Sequence, residues 1–189
     1  GLILMGKSLH GLQYLSQVLK DRTAEKYYMA LVAGEVDEPM TIEGFLTKDE
    51  AVNKVQITKE PISDESLPIK TAYWPLKTIE MSASCHKATL LEVHLITGRS
   101  HQIRAHLASI GHPIVGDYKY GSRSLNDAVK KKYAVRSQLL HSWRLVMPET
   151  LPAPLKHLRG EEFTARLPVI FNTVMEGEGI GLPCESRGI

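Results

Sequence analysis

The sequence predicts an α+β domain, built on a mixed, largely antiparallel sheet with flanking helices. Three observations lead there. Strand-like stretches dominate the front of the chain, helical spacing occurs in scattered segments between them, and neither an internal repeat nor a heptad pattern is present. The 189 residues suffice for one domain with a sizeable core, and a hydrophobic content of 43% fits the globular class.

Each element has a local reason. Ser8 stands where a helix cap is needed, and Leu9, Leu12, Leu15 and Leu19 follow at helical spacing, so a helix is expected from about residue 8 to 20. EKYYMALVAGEV is aromatic and apolar without proline and reads as a strand that Gly34 closes. Residues 47–70 are polar, contain two prolines, and form a loop or a hairpin excursion. KTAYWPLKTIE and KATLLEVHLI are two strands joined across MSASCH; in the second, Leu91, Val93 and Leu95 alternate with Glu92 and His94. SLNDAVKKKYAV is either a short exposed helix or a loop. QLLHSWRLVM resumes strand character until Pro148, and EEFTARLPVIFNTVM docks on the core as a final strand or helix. The glycine-rich end, EGEGIGLPCESRGI, is expected to fray, which puts the domain at residues 1–175 and a tail at 176–189.

Composition excludes several classes. No apolar run approaches the roughly 20 residues of a membrane helix. The opening GLILMGKS lacks the basic head and small-residue cleavage site of a signal peptide. Cys85 and Cys184 lie far apart in no metal-ligand spacing and read as free thiols of a reducing, cytoplasmic compartment. A net charge of +2 neither demands nor forbids an acidic partner; the densest basic cluster is Lys130, Lys131 and Lys132 with Arg136.

The chemistry concentrates in LITGRSHQIRAHLASIGHPIVGDYKYG, residues 95–121. A strand turns at Gly98, Ser100 is placed to cap, and HQIRAHLASIG has helical spacing until Gly111 and Pro113 stop it. Ile103, Leu107 and Ile110 form one stripe, with His101, Arg104, Ala105 and Ala108 on the other side. The residue pattern leaves three readings: a solvated helix with ordinary polar residues, a metal site, or an anion-organising site centred on Arg104. The metal reading is weak, because His101 and His106 are separated by about 140° around a helix. The anion reading draws on the free amides of a helix start and the planar fork of an arginine.

The same stretch resembles the signature of the RluA-type pseudouridine synthases, which isomerise uridine in ribosomal or transfer RNA. EKYYMALVAG resembles that family's Lys-x-Tyr-x-Ala strand, SDESLPIKTAY its linking segment, and LLHSWRLVM followed by Pro148 its later Leu-His-Ala strand. The resemblance runs over roughly residues 2–172. It implies the catalytic fold of those enzymes, an RNA partner (ribosomal RNA foremost), no membrane and no cofactor. It also implies roles: Arg104 pairs with the catalytic aspartate, Tyr28 faces the base and assists proton removal, and Ile103 lines the pocket. Arg99, His101 and Gln102 are read as supporting or phosphate-contacting residues, completing the expected substrate-binding set. Asp117, Tyr118 and Tyr120 are expected to fix the loop after the helix.

One departure stands out. The family's aspartate lies in a His-Arg-Leu-Asp motif just before a Gly-Leu-Leu-Leu-x-Ala-Lys run, and GLILMGK resembles that run with its front removed. Asp21, Asp37 and Asp117 do not fall in that place. The expectation is therefore an incomplete catalytic domain, inactive alone. The alternatives are a non-catalytic RNA-binding protein on the same scaffold and, more weakly, a phosphate-handling enzyme, for which neither nucleophile nor metal ligands are evident.

Overall fold

Strand alternation and two sets of helices organise the domain, as a computed structural model shows for residues 1–49, 54–82 and 86–178. Helix α1 (Leu9–Lys20) begins at Ser8, whose hydroxyl accepts from the Gly11 amide at 3.1 Å. Strands β1 (Glu25–Ala33), β2 (Met40–Asp49), β3 (Lys54–Thr58), β4 (Leu67–Met81) and β5 (His86–Leu95) follow, then α2 (Gln102–Ser109), α3 (Arg123–Tyr133), β6 (Leu140–Val146), a 3-10 turn at Ala153–Leu158, β7 (Glu162–Thr164) and α4 (Val169–Gly177). The strands form one sheet in the order β3-β2-β4-β5-β1-β6-β7, with every neighbouring pair antiparallel.

Side chains alternate across the sheet, so each strand feeds two cores. On one face Leu31, Leu90 and Ile79 meet Leu125, Val129 and Tyr133 of α3 and Phe171, Val174 and Met175 of α4. On the other, Ala30, Val32, Leu91 and Val93 meet Ile103 and Leu107 of α2. Helix α1 packs Leu15 and Val18 against Leu145 and Met147. Leu145 pairs with Lys26, which alternation puts on the Tyr28 side of β1, so α1 and α2 share a face.

The stretch after Gly121 resolves as a helix because Leu125, Val129 and Tyr133 recur every four residues and are all buried. An isolated helix of 11 residues is marginal, but each such buried side chain contributes roughly 1.5–3 kcal/mol. EEFTARLPVIFNTVM divides into β7 and α4, with Pro168 as the N-cap of the helix. That helix continues past 175, and Glu178 beyond it accepts from the Ser82 amide, the Ser82 hydroxyl and Tyr133 Oη. Residues 179–189, with Cys184, lie outside the described residues, as do Cys85 and the tip of the β2–β3 connection. Strand β4 accommodates Pro75 beyond the end of its ladder with β2, which stops at Tyr73, and beside a bulge in its pairing with β5.

The turn into α2 differs from expectation. Ser100 does not cap; the N-cap is His101, left-handed at φ 58° and without a side-chain capping bond. The helix also buries more of its circumference than one stripe: Gln102, Ala105 and His106 are buried along with Ile103 and Leu107.

Candidate active site

A side-chain strut, rather than a helix cap, holds the β5–α2 corner. Gln102 is 1% exposed. Its carbonyl oxygen accepts from Thr97 Oγ1 at 2.8 Å and the Arg99 amide at 3.1 Å, and its nitrogen donates to Lys70 O and Thr71 Oγ1, both at 3.0 Å. These bonds join β4, the β5–α2 corner and α2. They stabilise a turn that would otherwise leave backbone groups unpaired. The Gln102 side-chain amide is thus engaged inside the protein on both its oxygen and its nitrogen. Thr71 Oγ1 also lies 3.0 Å from His106 Nδ1, and burial pushes the His106 pKa down to about 4, so that ring is neutral at ordinary pH. His101 packs edge-on against Tyr120, with Nδ1 3.0 Å from its hydroxyl. Burial, then the charges of Arg104 and Lys119, lower the His101 pKa. The Tyr120 hydroxyl also accepts from the Val55 amide of β3 at 3.1 Å.

One helical turn on, Arg104 makes a two-pronged pair with Asp117: Nε to Oδ2 at 2.7 Å and Nη2 to Oδ1 at 2.8 Å. The Asp117 side chain has no exposure and that of Arg104 has 16%. Oδ1 also accepts from the amides of Lys119 (2.9 Å) and Tyr120 (3.1 Å). Burial works against the carboxylate, but Arg104 and the two amides outweigh it and hold the Asp117 pKa below its ordinary value. The same pair raises the Arg104 pKa, and the guanidinium lies 5.1 Å from the Tyr120 ring centre. Asp117 accordingly fixes its own loop, as expected, and also Arg104, which was not. The readable hint is Gly116, left-handed at φ 83° with Ser137 O against the place a Cβ would occupy, a glycine-only position in the turn ahead of Asp117. Asp117 takes the Nε edge of the fork, and Nη1 lies outside that pair.

Tyr28 stands on the face of the sheet that carries α2. It packs against the cluster holding Ile103 and Leu107, and Ile103 is itself 4% exposed. Burial raises the Tyr28 pKa although a hydrogen bond with Ser142 opposes this, so the phenol is neutral at ordinary pH. Ser142 is the cross-strand partner of Tyr28, next to a bulge, and its carbonyl accepts from the Leu2 amide at 2.9 Å. Residues 1 and 2 therefore run past the strand position beside Tyr28. Arg99 is at the corner, its Nε buried without a hydrogen-bond partner among the described residues. It borders a pocket that also includes Lys20 and Arg22, two cations the sequence pattern did not single out.

Residues 1–109 match the RNA pseudouridylate synthase family. The chain belongs to this family. Ribosomal large subunit pseudouridine synthase D of Nitrosomonas europaea is 33% identical over 147 residues, covering 77% of this chain and 40% of that protein. Ribosomal large subunit pseudouridine synthase C of Vibrio cholerae is 32% identical over 143 residues, covering 75% and 42%. The tRNA pseudouridine synthase C of Salmonella typhi is 31% identical over 150 residues, covering 77% and 57%. The chain thus spans about two-fifths of the length of the first two relatives. The structure of human RNA pseudouridylate synthase domain containing 4 superposes with a TM-score of 0.64 at 20% identity, covering 92% of this chain and 69% of that one. At that identity the likeness supports the pseudouridylate synthase fold. Tyr28, Arg99, His101, Gln102, Ile103 and Arg104 all fall within the family match, whereas Asp117 lies beyond it.

Proposed function

We propose that this chain is part of the catalytic domain of an RNA pseudouridine synthase acting on ribosomal or transfer RNA, with Arg104 and Tyr28 as its site residues. The observation that carries the reading is the Arg104–Asp117 pair: it presents a pre-aimed guanidinium from a helix on the same sheet face as Tyr28. Names of relatives acting on large-subunit ribosomal RNA and on tRNA support the substrate class.

The chemistry needs a carboxylate at the ribose. The bond from C1′ to N1 breaks, the uracil turns, a bond from C1′ to C5 forms, N1 takes a proton and C5 gives one up. No net oxidation or reduction occurs, so the electron balance requires no redox partner. Asp117 is a poor candidate for that carboxylate. Its side chain is fully buried and both oxygens accept hydrogen bonds within the protein. The carboxylate is assigned instead to a segment outside these 189 residues, arriving at the part of the Arg104 fork that Asp117 does not take. A fixed cation there keeps the incoming carboxylate ionised and oriented. Tyr28, neutral, offers a ring against which an unstacked base rests and a hydroxyl near the carbon that loses its proton. Ile103 supports the floor beneath it.

Turnover is read from release of the uridine C5 proton, followed as tritium from labelled ribosomal RNA fragments. The chain alone should bind RNA and release no tritium, and joined to the carboxylate-bearing segment it should release it. Turnover by the chain alone would show that a carboxylate within it serves the reaction. Binding without turnover in the joined protein would favour the non-catalytic RNA-binding reading.

A further inference from the structure

The end of α1 and the β5–α2 corner enclose a pocket of about 360 Å³ lined by Leu19, Lys20, Arg22, Gly98 and Arg99. Three of these five residues are cations, from two separate segments, and no carboxylate pairs with any of them among the described residues. Arg99 Nε is a buried donor with no acceptor there, an arrangement that ordinarily carries a penalty unless a ligand or water supplies the partner. Lys26 adds to the crowding: burial, and then repulsion from Arg22, lower its pKa.

The backbone gives an independent sign. Helix α1 ends with the Arg22 amide donating to Leu19 O at 3.3 Å and the Thr23 amide to Val18 O at 3.2 Å, a Schellman ending. Its left-handed residue, normally glycine, is Arg22 at φ 58°. An arginine there strains the backbone, and strain retained at one residue points to a use for its side chain.

We propose that this pocket is a subsite for a backbone phosphate of the RNA strand, apart from the base site at Tyr28 and Arg104; the proposal rests on the RNA-synthase reading above. Its place beside the start of α2, on the face that carries Tyr28, lets one strand lie across both. Phosphate contacts of this kind fix register and carry no sequence information, so the subsite positions the strand while the reacting uridine is read elsewhere.

The test uses the full chain and a short uridine-containing RNA stem-loop, with affinity measured from about 50 to 200 mM salt. Lys20→Gln with Arg22→Gly removes two exposed cations and relieves the strain. The slope of log affinity against log salt should fall by about 0.7, one single-strand phosphate contact's worth, while the melting temperature rises by about 2–8 °C. Lys130→Gln with Lys131→Gln on α3, across the sheet, removes the same charge and should leave the slope unchanged. An unchanged slope in the first variant, or an equal fall in the second, overturns the subsite and leaves the RNA reading standing. Loss of inorganic phosphate binding with an unchanged RNA slope makes the pocket a free-anion site and also overturns it. A wild-type chain that does not bind the stem-loop removes the subsite and the RNA reading together.

Discussion

Asp117→Asn isolates what the buried pair does. Asparagine keeps Oδ1 as the acceptor for the Lys119 and Tyr120 amides and for Arg104 Nη2, but its amino group replaces Oδ2 and faces the Arg104 Nε donor, now 2.7 Å from that oxygen. A guanidinium with 16% side-chain exposure then lacks its counter-ion. Removing one partner of a buried pair costs about 3–5 kcal/mol, because the other charge stays behind. For a domain of this size that is a fall in melting temperature of roughly 6–20 °C. The sign with pH follows from the lowered Asp117 pKa. The carboxylate's contribution is present above its ordinary value of 3.8 and is lost as pH falls through the folded value below it. Urea midpoints of the wild type and the variant should therefore differ by a constant amount from neutral pH down to about 4, then converge. Arg104→Met with Asp117→Leu, removing both charges, should lose less than the sum of the single changes. A single variant within about 1 kcal/mol of wild type at neutral pH would mean that the pair contributes little, and that Arg104 is not held by Asp117.

Three further outcomes follow from the same geometry. Arg104→Lys, in the joined protein that carries the carboxylate, should bind RNA at matched salt nearly as wild type yet turn over on the order of a hundredfold slower, since the ammonium lacks the planar fork; affinity falling in step with rate would make Arg104 a phosphate contact instead. Tyr28→Phe keeps the ring and should slow C5 proton release by about 10²–10⁴ with RNA affinity little changed; an unchanged rate removes the hydroxyl from the reaction. Glu178 is held at a pKa of about 2, its burial outweighed by Ser82, Tyr133 and Lys132, so Glu178→Gln should lose on the order of 3 kcal/mol at neutral pH, measured by urea unfolding. That difference should disappear as pH falls from the ordinary 4.5 toward 2.

What the sequence reveals depends on how local the cause is. Helix α1 and its Ser8 cap are local, a hydroxyl three residues from the amide it binds, and the pattern shows both. Strand β5 is legible because Leu91 and Val93 are fully buried while Glu92 and His94 are not. Strand β2 was not singled out: it holds Gly44 and mostly exposed or half-buried side chains, and owes its place to pairing with β3 and β4. The corner misleads for the same reason. Ser100 looks like a cap from its neighbours alone, but Gln102 settles the geometry by reaching Thr71 and Lys70, 31 and 32 residues back. The Arg104–Asp117 pair spans 13 residues across a loop whose turn no short pattern specifies. Arg22 was invisible as a special position because an arginine in place of a terminating glycine leaves no mark in the composition.

The Tyr120 hydroxyl joins two parts of the molecule that the chain order keeps apart. It holds the Val55 amide of an edge strand and, on its other side, the ring of His101 at the start of α2. The phenol oxygen of Tyr120 thereby latches the β2–β3 hairpin to the helix that bears Arg104. The Val55 amide proton exchanges with solvent only when that latch lets go, so its protection serves as a gauge of how firmly the arginine's helix is seated.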